Sequence, residues 1–464
     1  MKLEGSRDMS LGRVAPNGGG GLTRRDLLRR SALLSAVSGL ALMGCSPQGQ
    51  GGSSQNSRAI NVAVFSHFEE LDRKLARRYE RRTEKSVKFE ALVADNHRDK
   101  IIGSLRAGSS PWDVIPLWSF LTPEMASRGW LADLTDRIED EFGSDFEQFV
   151  GGDAPFQNGL YEGRRYGVPV DVGGTILHWN KELLKKRGLD PEAPAGWHET
   201  AGSTEEFVRY AKELTFEEGG VQHWGFSDNW AEQAAITFNT FIQMFGGQCM
   251  DLSDEKDAYG EVTFHEGPGV EALQFMVDLL HTHKVVDPAS VTYNWVFDIT
   301  PGYLDGRVGF ISTWPFVAGL AEDPEQSKIA GAAGHAPNFA AVTSATSQDP
   351  HYIAIPESAP GGVDAAWEYV KTRLSTPAQR EQGEEGAWAP IYEDLYQEPA
   401  VREKFIQADV IVKSLEYPSS LSVTPDYMEW RSTLNTAISQ ALSQDKTPQE
   451  ALNEAAEQVK ASRG

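Results

Sequence analysis

The sequence predicts an α/β protein of two lobes, each a doubly wound sheet flanked by helices. Three observations carry that reading. First, residues 60–117 alternate short β-branched runs with stretches of helical spacing, the order of a parallel sheet wound by crossover helices. Second, the body after Ile60 has about 400 residues, too many for one hydrophobic core. Third, the extended run around 164–179 is interrupted by Gly173-Gly174, a point where the chain could pass from one lobe to the other.

The elements follow in order. Ile60–Phe65 reads as a first strand, apolar and bounded by polar residues. Residues 69–82 space Leu71, Leu75 and Tyr79 along one helical face, with Arg and Glu opposite. Residues 86–92 alternate Val87, Phe89 and Ala91 with polar residues as a second strand. A helix is expected over 97–107, closed by Gly108, and a third strand over 113–117. In such a sheet a ligand lies beyond the carboxyl ends of the strands. That places Ser66-His67-Phe68 and Trp118-Ser119-Phe120 on one rim. Further on, 164–170 and 176–179 are expected to be extended, and 307–311 to be a buried strand. Helices are expected over 180–187, 203–216, 231–245, 267–283, 295–305, 364–374 and 377–385. Two more, over 426–444 and 448–460, are amphipathic outer struts. No internal repeat, heptad array or membrane span follows residue 45.

The N-terminal segment is of another kind. Thr23-Arg24-Arg25-Asp26-Leu27-Leu28 precedes a short small-residue apolar run, Ser31 to Met43, which ends at Gly44-Cys45. The segment resembles a twin-arginine export signal joined to a bacterial lipoprotein signal, with Cys45 as the lipid-modified residue. Thirteen residues are too few to span ~30 Å of hydrocarbon, so cleavage fits better than a permanent anchor. Residues 46–57 hold no apolar side chain and read as a flexible linker, so that 45–59 separates lipid from body. With Cys45 lipidated, Cys249 has no partner for a disulfide. The formal net charge is −24, and the segment 1–44 carries +4, so the mature chain holds about −28. Such acidity argues against nucleic acid and against polybasic membrane binding. The expected location is extracytoplasmic, in the periplasm or on the outer face of the cytoplasmic membrane, held by lipid.

Several segments, in this order, resemble the extracellular solute-binding proteins of ABC importers, in the sugar-binding branch that includes maltose- and glycerol-phosphate-binding proteins. They are residues 111–118 with 129–135, 166–169 with 177–183 and 188–191, and 224–226 with 245–247. Residues 304–310 with 312–316, and 365–374 with 377–379 and 386–390, complete the set. The resemblance implies a two-lobed periplasmic-binding-protein fold of type II, with a ligand cleft between the lobes. Its lobes would be discontinuous, 60–171 with 334–384 and 175–330 with 388–464. It implies closure on a glycine hinge at 171–174, signalling occupancy to permease transmembrane subunits.

By the same resemblance the cleft is lined from five loops. These give His67 and Phe68, Trp118 and Ser119, Asp171, Trp314, and Trp388, with Asn229 and Trp230 as further candidates. A sugar needs flat aromatic platforms and fixed hydrogen-bonding groups, and these residue types supply both. Each has a plainer alternative. A tryptophan is more often core than platform, His67 could be an ordinary loop residue, and Asp171 could cap or ion-pair at the hinge. The chain holds 12 Trp, of which Trp112, Trp130, Trp179, Trp197 and Trp367 read as structural. His281 and His283 point apart on a helix, so no metal site is expected, and no cofactor. The expected function is binding of a sugar or oligosaccharide by a monomer that delivers it to the permease, without catalysis. The rival is an anchored glycoside hydrolase, which would need two carboxylates ~5–10 Å apart across a cleft. No segment places such a pair, and there is no nucleophile elbow, phosphate loop or dinucleotide fingerprint.

Overall fold

A computed structural model describes residues 59–93, 97–254, 256–385 and 388–464. The expected export signal, Cys45 and the expected linker up to residue 58 lie outside the described residues.

The first strand, Ile60–Phe65, pairs in parallel with Val87–Leu92, from Ile60 opposite Val87 to Phe65 opposite Leu92. A parallel bridge between Val62 and Val114 joins it to Ile115–Trp118. That strand is antiparallel to His351–Ala354, which in turn pairs with Val168–Pro169. Side-chain alternation explains why the run is apolar throughout. Ile60, Val62 and Val64 enter one core and Ala63 the other, so both faces are buried. The helix Glu69–Thr83 covers one face with Leu71, Leu75, Ala76 and Tyr79. His97–Arg106 covers the other with Ile101, Ile102 and Leu105. This is the expected doubly wound lobe.

The second lobe is built on a five-stranded sheet. Its order is Ala333–Ala336, Ile176–Asn180, Val308–Thr313, Val221–Ser227, Phe216–Glu218. Only Val308–Thr313 and Val221–Ser227 run parallel there; the other neighbours are antiparallel. Both sheets are therefore mixed. Strands that arrive from the crossovers enter against the local direction. The expected 164–170 strand is split in two. Arg164–Arg165 forms a hairpin with Leu160–Tyr161, while Val168–Pro169 joins the lobe-one sheet. The C-terminal struts are Tyr427–Leu442 and Pro448–Arg463, the latter opened by a Thr447/Glu450 capping box.

Three chain segments cross between the lobes. Gly174 bridges Gln348, and the N–H groups of Thr346 and Gln348 donate to the carbonyls of Pro418 and Ser419 at 3.0 and 3.1 Å. A buried polar belt locks them. Thr346 Oγ1 donates to the Thr175 carbonyl at 2.9 Å, Asn338 Nδ2 to the same carbonyl at 3.0 Å, and Thr240 meets Ser347 at 2.8 Å. Two expectations change here. Gly173 and Gly174 do not adopt positive φ. A Cβ on Gly174 would meet Thr346 Oγ1 at 2.1 Å, so that glycine permits close approach of the crossing strands, not backbone freedom. Past 388, moreover, the chain packs on lobe one before it also touches the other, where Gln407 Nε2 donates to the Pro315 carbonyl at 3.0 Å. Ala389, Ile391, Tyr396, Phe405, Ile411 and Leu415 pack in the lobe-one core, and Leu421 is the next residue to join the other. An apolar segment goes where its side chains are buried, and here that is against Phe149 and Phe156.

Candidate functional site

Strand register fixes where the rims lie. In lobe one, Phe65 and Trp118 end parallel strands, and Trp118 stands opposite His351, the first residue after the second crossing. In lobe two, Thr313 stands opposite Ile176, the first strand residue after the first crossing, and Ser227 opposite Ile311. Loops 66–68 and 118–120 of one lobe and 228–230 and 314–316 of the other thus lie on the crossover side of their sheets. This follows from strand direction alone.

The lobe-one rim is a cluster of rings. His67 lies 5.3 Å from Trp388 and 5.2 Å from His351, centroid to centroid. Trp388 lies 4.7 Å from Phe68 and 4.9 Å from His351, and Trp118 is 4.8 Å from His351. Phe65 stacks on His67 at 5.2 Å, and His97 meets Phe65 edge-on at 4.8 Å. Of the expected residues His67, Phe68, Trp118, Asp171 and Trp388 are brought together here. Trp118 and Trp388 are half-buried and His67 is exposed, while Phe68 is 2% exposed and belongs to the core. Although an edge of the ring reaches solvent, the rings packed round it desolvate the His67 imidazole and hold it down to about 4, with His351 lowering it further and Asp171 pulling the other way. It is neutral at pH 7.

Asp171 faces its own lobe. Its Oδ1 accepts the His351 backbone N–H at 2.7 Å and its Oδ2 accepts the ring Nδ1–H at 2.8 Å. The pairing alternative for this residue describes its geometry. Ser119 is fully buried, donates to Asp349 Oδ1 at 2.8 Å and accepts from Asn158 Nδ2 at 2.8 Å. Burial pushes the Asp349 carboxyl up to about 6. Both Ser119 and Asp349 act in holding the second crossing.

The lobe-two rim has a different composition. Trp314 is half-buried and lies 5.5 Å from Trp295, which is 36% exposed. Phe316 and Phe297 continue the surface at 6.0 Å, with Phe297 61% exposed. Asn229 and Trp230 are 3% and 2% exposed, and Trp230 packs in the large core beside Phe226 at 6.4 Å. The plainer alternative holds for that tryptophan. Next to them Asp228, 1% exposed, accepts the Asn229 N–H on Oδ1 at 2.7 Å, and burial raises its carboxyl to about 7. At one end the lobes touch. Phe120 stacks on Tyr427 at 5.3 Å, with the Arg431 guanidinium 5.6 Å from the Phe120 ring.

Sequence reasoning missed His351, His97, Trp295 and Asp228. His351 follows a run with no strand signal of its own. Trp295, placed at a helix start, gave no cue to its exposure. The tryptophans read as structural fare as expected at Trp112, Trp179, Trp197 and Trp367, all 6% exposed or less. Cys249 is fully buried, and burial raises its thiol far above the usual range. His281 Nε2 bonds the Leu442 carbonyl at 2.7 Å, a structural contact.

Comparison with known proteins agrees with this architecture. An arabinooligosaccharide-binding protein of Halalkalibacterium halodurans is 23% identical over 199 residues, 43% of this chain and 39% of that protein. A probable amino-acid ABC transporter periplasmic-binding protein of Sinorhizobium fredii is 24% identical over 290 residues, 61% and 62% of the two chains. The chain thus spans less than two thirds of the length of these curated relatives. Among solved structures, a maltose-bound protein of T. maritima, MalE3, superposes with a TM-score of 0.71 at 23% identity, covering 87% of this chain and 99% of that one. A solute-binding protein of Thermotoga lettingae bound to α-D-tagatose gives 0.71 at 21% identity, covering 88% and 100%. These likenesses speak for the two-lobed fold. The family described as "Bacterial extracellular solute-binding protein" matches residues 66–380, and the chain belongs to it.

Proposed function

We propose that the protein binds a neutral sugar or oligosaccharide between its lobes and delivers it to the transmembrane subunits of an ABC importer. It does so as a monomer held outside the cytoplasm by lipid on Cys45. The observation that carries this reading is the character of the two rims. One presents Trp118 and Trp388 among the His67 and His351 rings, the other presents Trp295 and Trp314, and both stand on the crossover side of their sheets. Flat rings with uncharged hydrogen-bonding groups suit the C–H faces and hydroxyls of a sugar. A free amino acid would call for a fixed cation and anion. Arg431, the cation at the Phe120 ring, is already engaged, its guanidinium donating to the Glu232 carbonyl and to Gln233 Oε1.

The ligands of several relatives, arabinooligosaccharide and maltose among them, point the same way. Lobes joined by three crossing strands could close on a ligand that touches both, because such a ligand favours the closed state by its differential affinity. Titration calorimetry with maltose, an arabino-oligosaccharide and diacetylchitobiose, set against a panel of amino acids, tests the reading. Saccharide binding at one site per chain, with compaction in small-angle scattering and the sugar recovered unchanged, is the expected result. Binding of amino acids alone, or turnover of the sugar, would replace it.

A further inference from the structure

Asp171 and His351 come from two different crossings, 180 residues apart, and meet with unusual completeness. Both carboxylate oxygens are used, one by the His351 N–H at 2.7 Å and one by its Nδ1–H at 2.8 Å. Asp171 is 4% exposed and His351 7%, so what separates them is that both Asp171 oxygens are engaged while His351 Nε2 is not. A carboxylate only accepts, so Nδ1 of His351 carries a hydrogen, and when the ring holds one proton Nε2 is a bare acceptor. Among the described residues nothing donates to Nε2. The ring stands edge-on to Phe68 and Trp388, at 79° and 72°, and is tilted against Trp118. An acceptor set among ring faces matches a sugar, whose C–H face lies on a ring while a neighbouring O–H donates.

We propose that His351, not Asp171, is the lobe-one residue that accepts a ligand hydroxyl, and that Asp171 is a positioning residue that fixes the His351 tautomer and orientation. The inference rests on the saccharide reading above. The logic is that of a histidine whose working nitrogen is set by the hydrogen bond made at the other one. His67, 5.2 Å away and neutral, adds no positive charge that would compete for the acceptor.

The test uses the full chain and whichever of maltose, an arabino-oligosaccharide or diacetylchitobiose binds it. His351→Phe should weaken binding by about tenfold or more, whereas His351→Gln, whose amide oxygen can stand near the Nε2 position, should stay within about threefold. Nitrogen-15 NMR of labelled histidine at pH 7 should show His351 as the Nδ1–H tautomer. In Asp171→Asn the amide N–H can donate to Nδ1, so the tautomer should turn over to Nε2–H and binding should weaken. Equal affinity of His351→Phe and wild type overturns the hydroxyl contact. An Nε2–H tautomer in the wild type overturns the positioning role, and this readout needs neither ligand nor a phenylalanine variant that folds. Failure of every saccharide to bind the wild type would sink the saccharide reading and the hydroxyl contact together. The tautomer would then decide the role of Asp171 separately.

Discussion

Trp230 and Trp388 show how one residue type divides between core and rim. Trp230 is 2% exposed inside the large core, while Trp314 and Trp388 keep part of the ring toward solvent. The difference sets opposite expectations. Trp314→Ala and Trp388→Ala should each weaken ligand binding by ~1–3 kcal/mol, with little loss of ligand-free stability. Trp230→Ala should instead cost ~3–5 kcal/mol of stability by leaving a cavity. Calorimetry and urea unfolding separate the two, and unfolding of both rim variants would assign those rings to the core. At this scale the sequence named the right kinds of residue without their neighbours. The carboxylate at Asp171 was legible as polar and hinge-adjacent. Its partner is set by a strand that returns 180 residues later, which no local pattern encodes.

At the scale of elements, the lobe-two sheet carries a buried pair across two of its strands. His178 on Ile176–Asn180 lies opposite His335 on Ala333–Ala336, and their Nδ1 atoms are 2.9 Å apart. His178 Nε2 faces the Thr313 carbonyl at 3.3 Å and so carries the hydrogen. Its Nδ1 is then the acceptor and His335 Nδ1–H the donor. Burial holds both rings below their ordinary value, His335 down to about 4; the His335 ring lowers His178 further, and Lys181 lowers His335. The sign follows by linkage. The folded pair stays neutral, while the unfolded chain takes up protons from about pH 6.5 downward, so stability is full above pH 7 and falls toward pH 4. For His335 the loss by pH 5 should be about 1–2 kcal/mol. Urea unfolding at pH 7.5 and pH 5 checks this. His335→Gln should flatten the pH slope, and an unchanged slope would mean the pair does not titrate. The strands themselves were readable at Ile60–Phe65 and Val308–Thr313, where apolar residues run together. The direction in which each pairs was not, because direction depends on which crossing feeds it.

At the scale of the whole molecule, the proposed lipid attachment can be tested apart from the fold. No helix among the described residues is long and apolar enough to cross a membrane. The proposed anchor at Cys45 would rest on acyl chains, at ~0.8 kcal/mol per buried methylene. Cys45→Ala is expected to move the protein from the membrane fraction into solution with ligand affinity unchanged. Recovery of the variant in the membrane at wild-type level and resistant to salt would show that another segment holds it.

By itself the sequence determined the class of fold, the family, and the residue types at the strand ends. These depend on local spacing and on short ordered motifs, which survive in one dimension. Only the tertiary structure decided that Gly174 serves close packing against Thr346, that Ala389 to Phe405 pack in the first core, and that Asp171 is committed to His351. Each of those facts joins segments of the chain more than a hundred residues apart or depends on which of two apolar cores a segment enters. The hydrophobic effect drives burial without direction, so it selects apolar segments but not their partners. Partners are fixed where crossing strands must satisfy one another's hydrogen bonds.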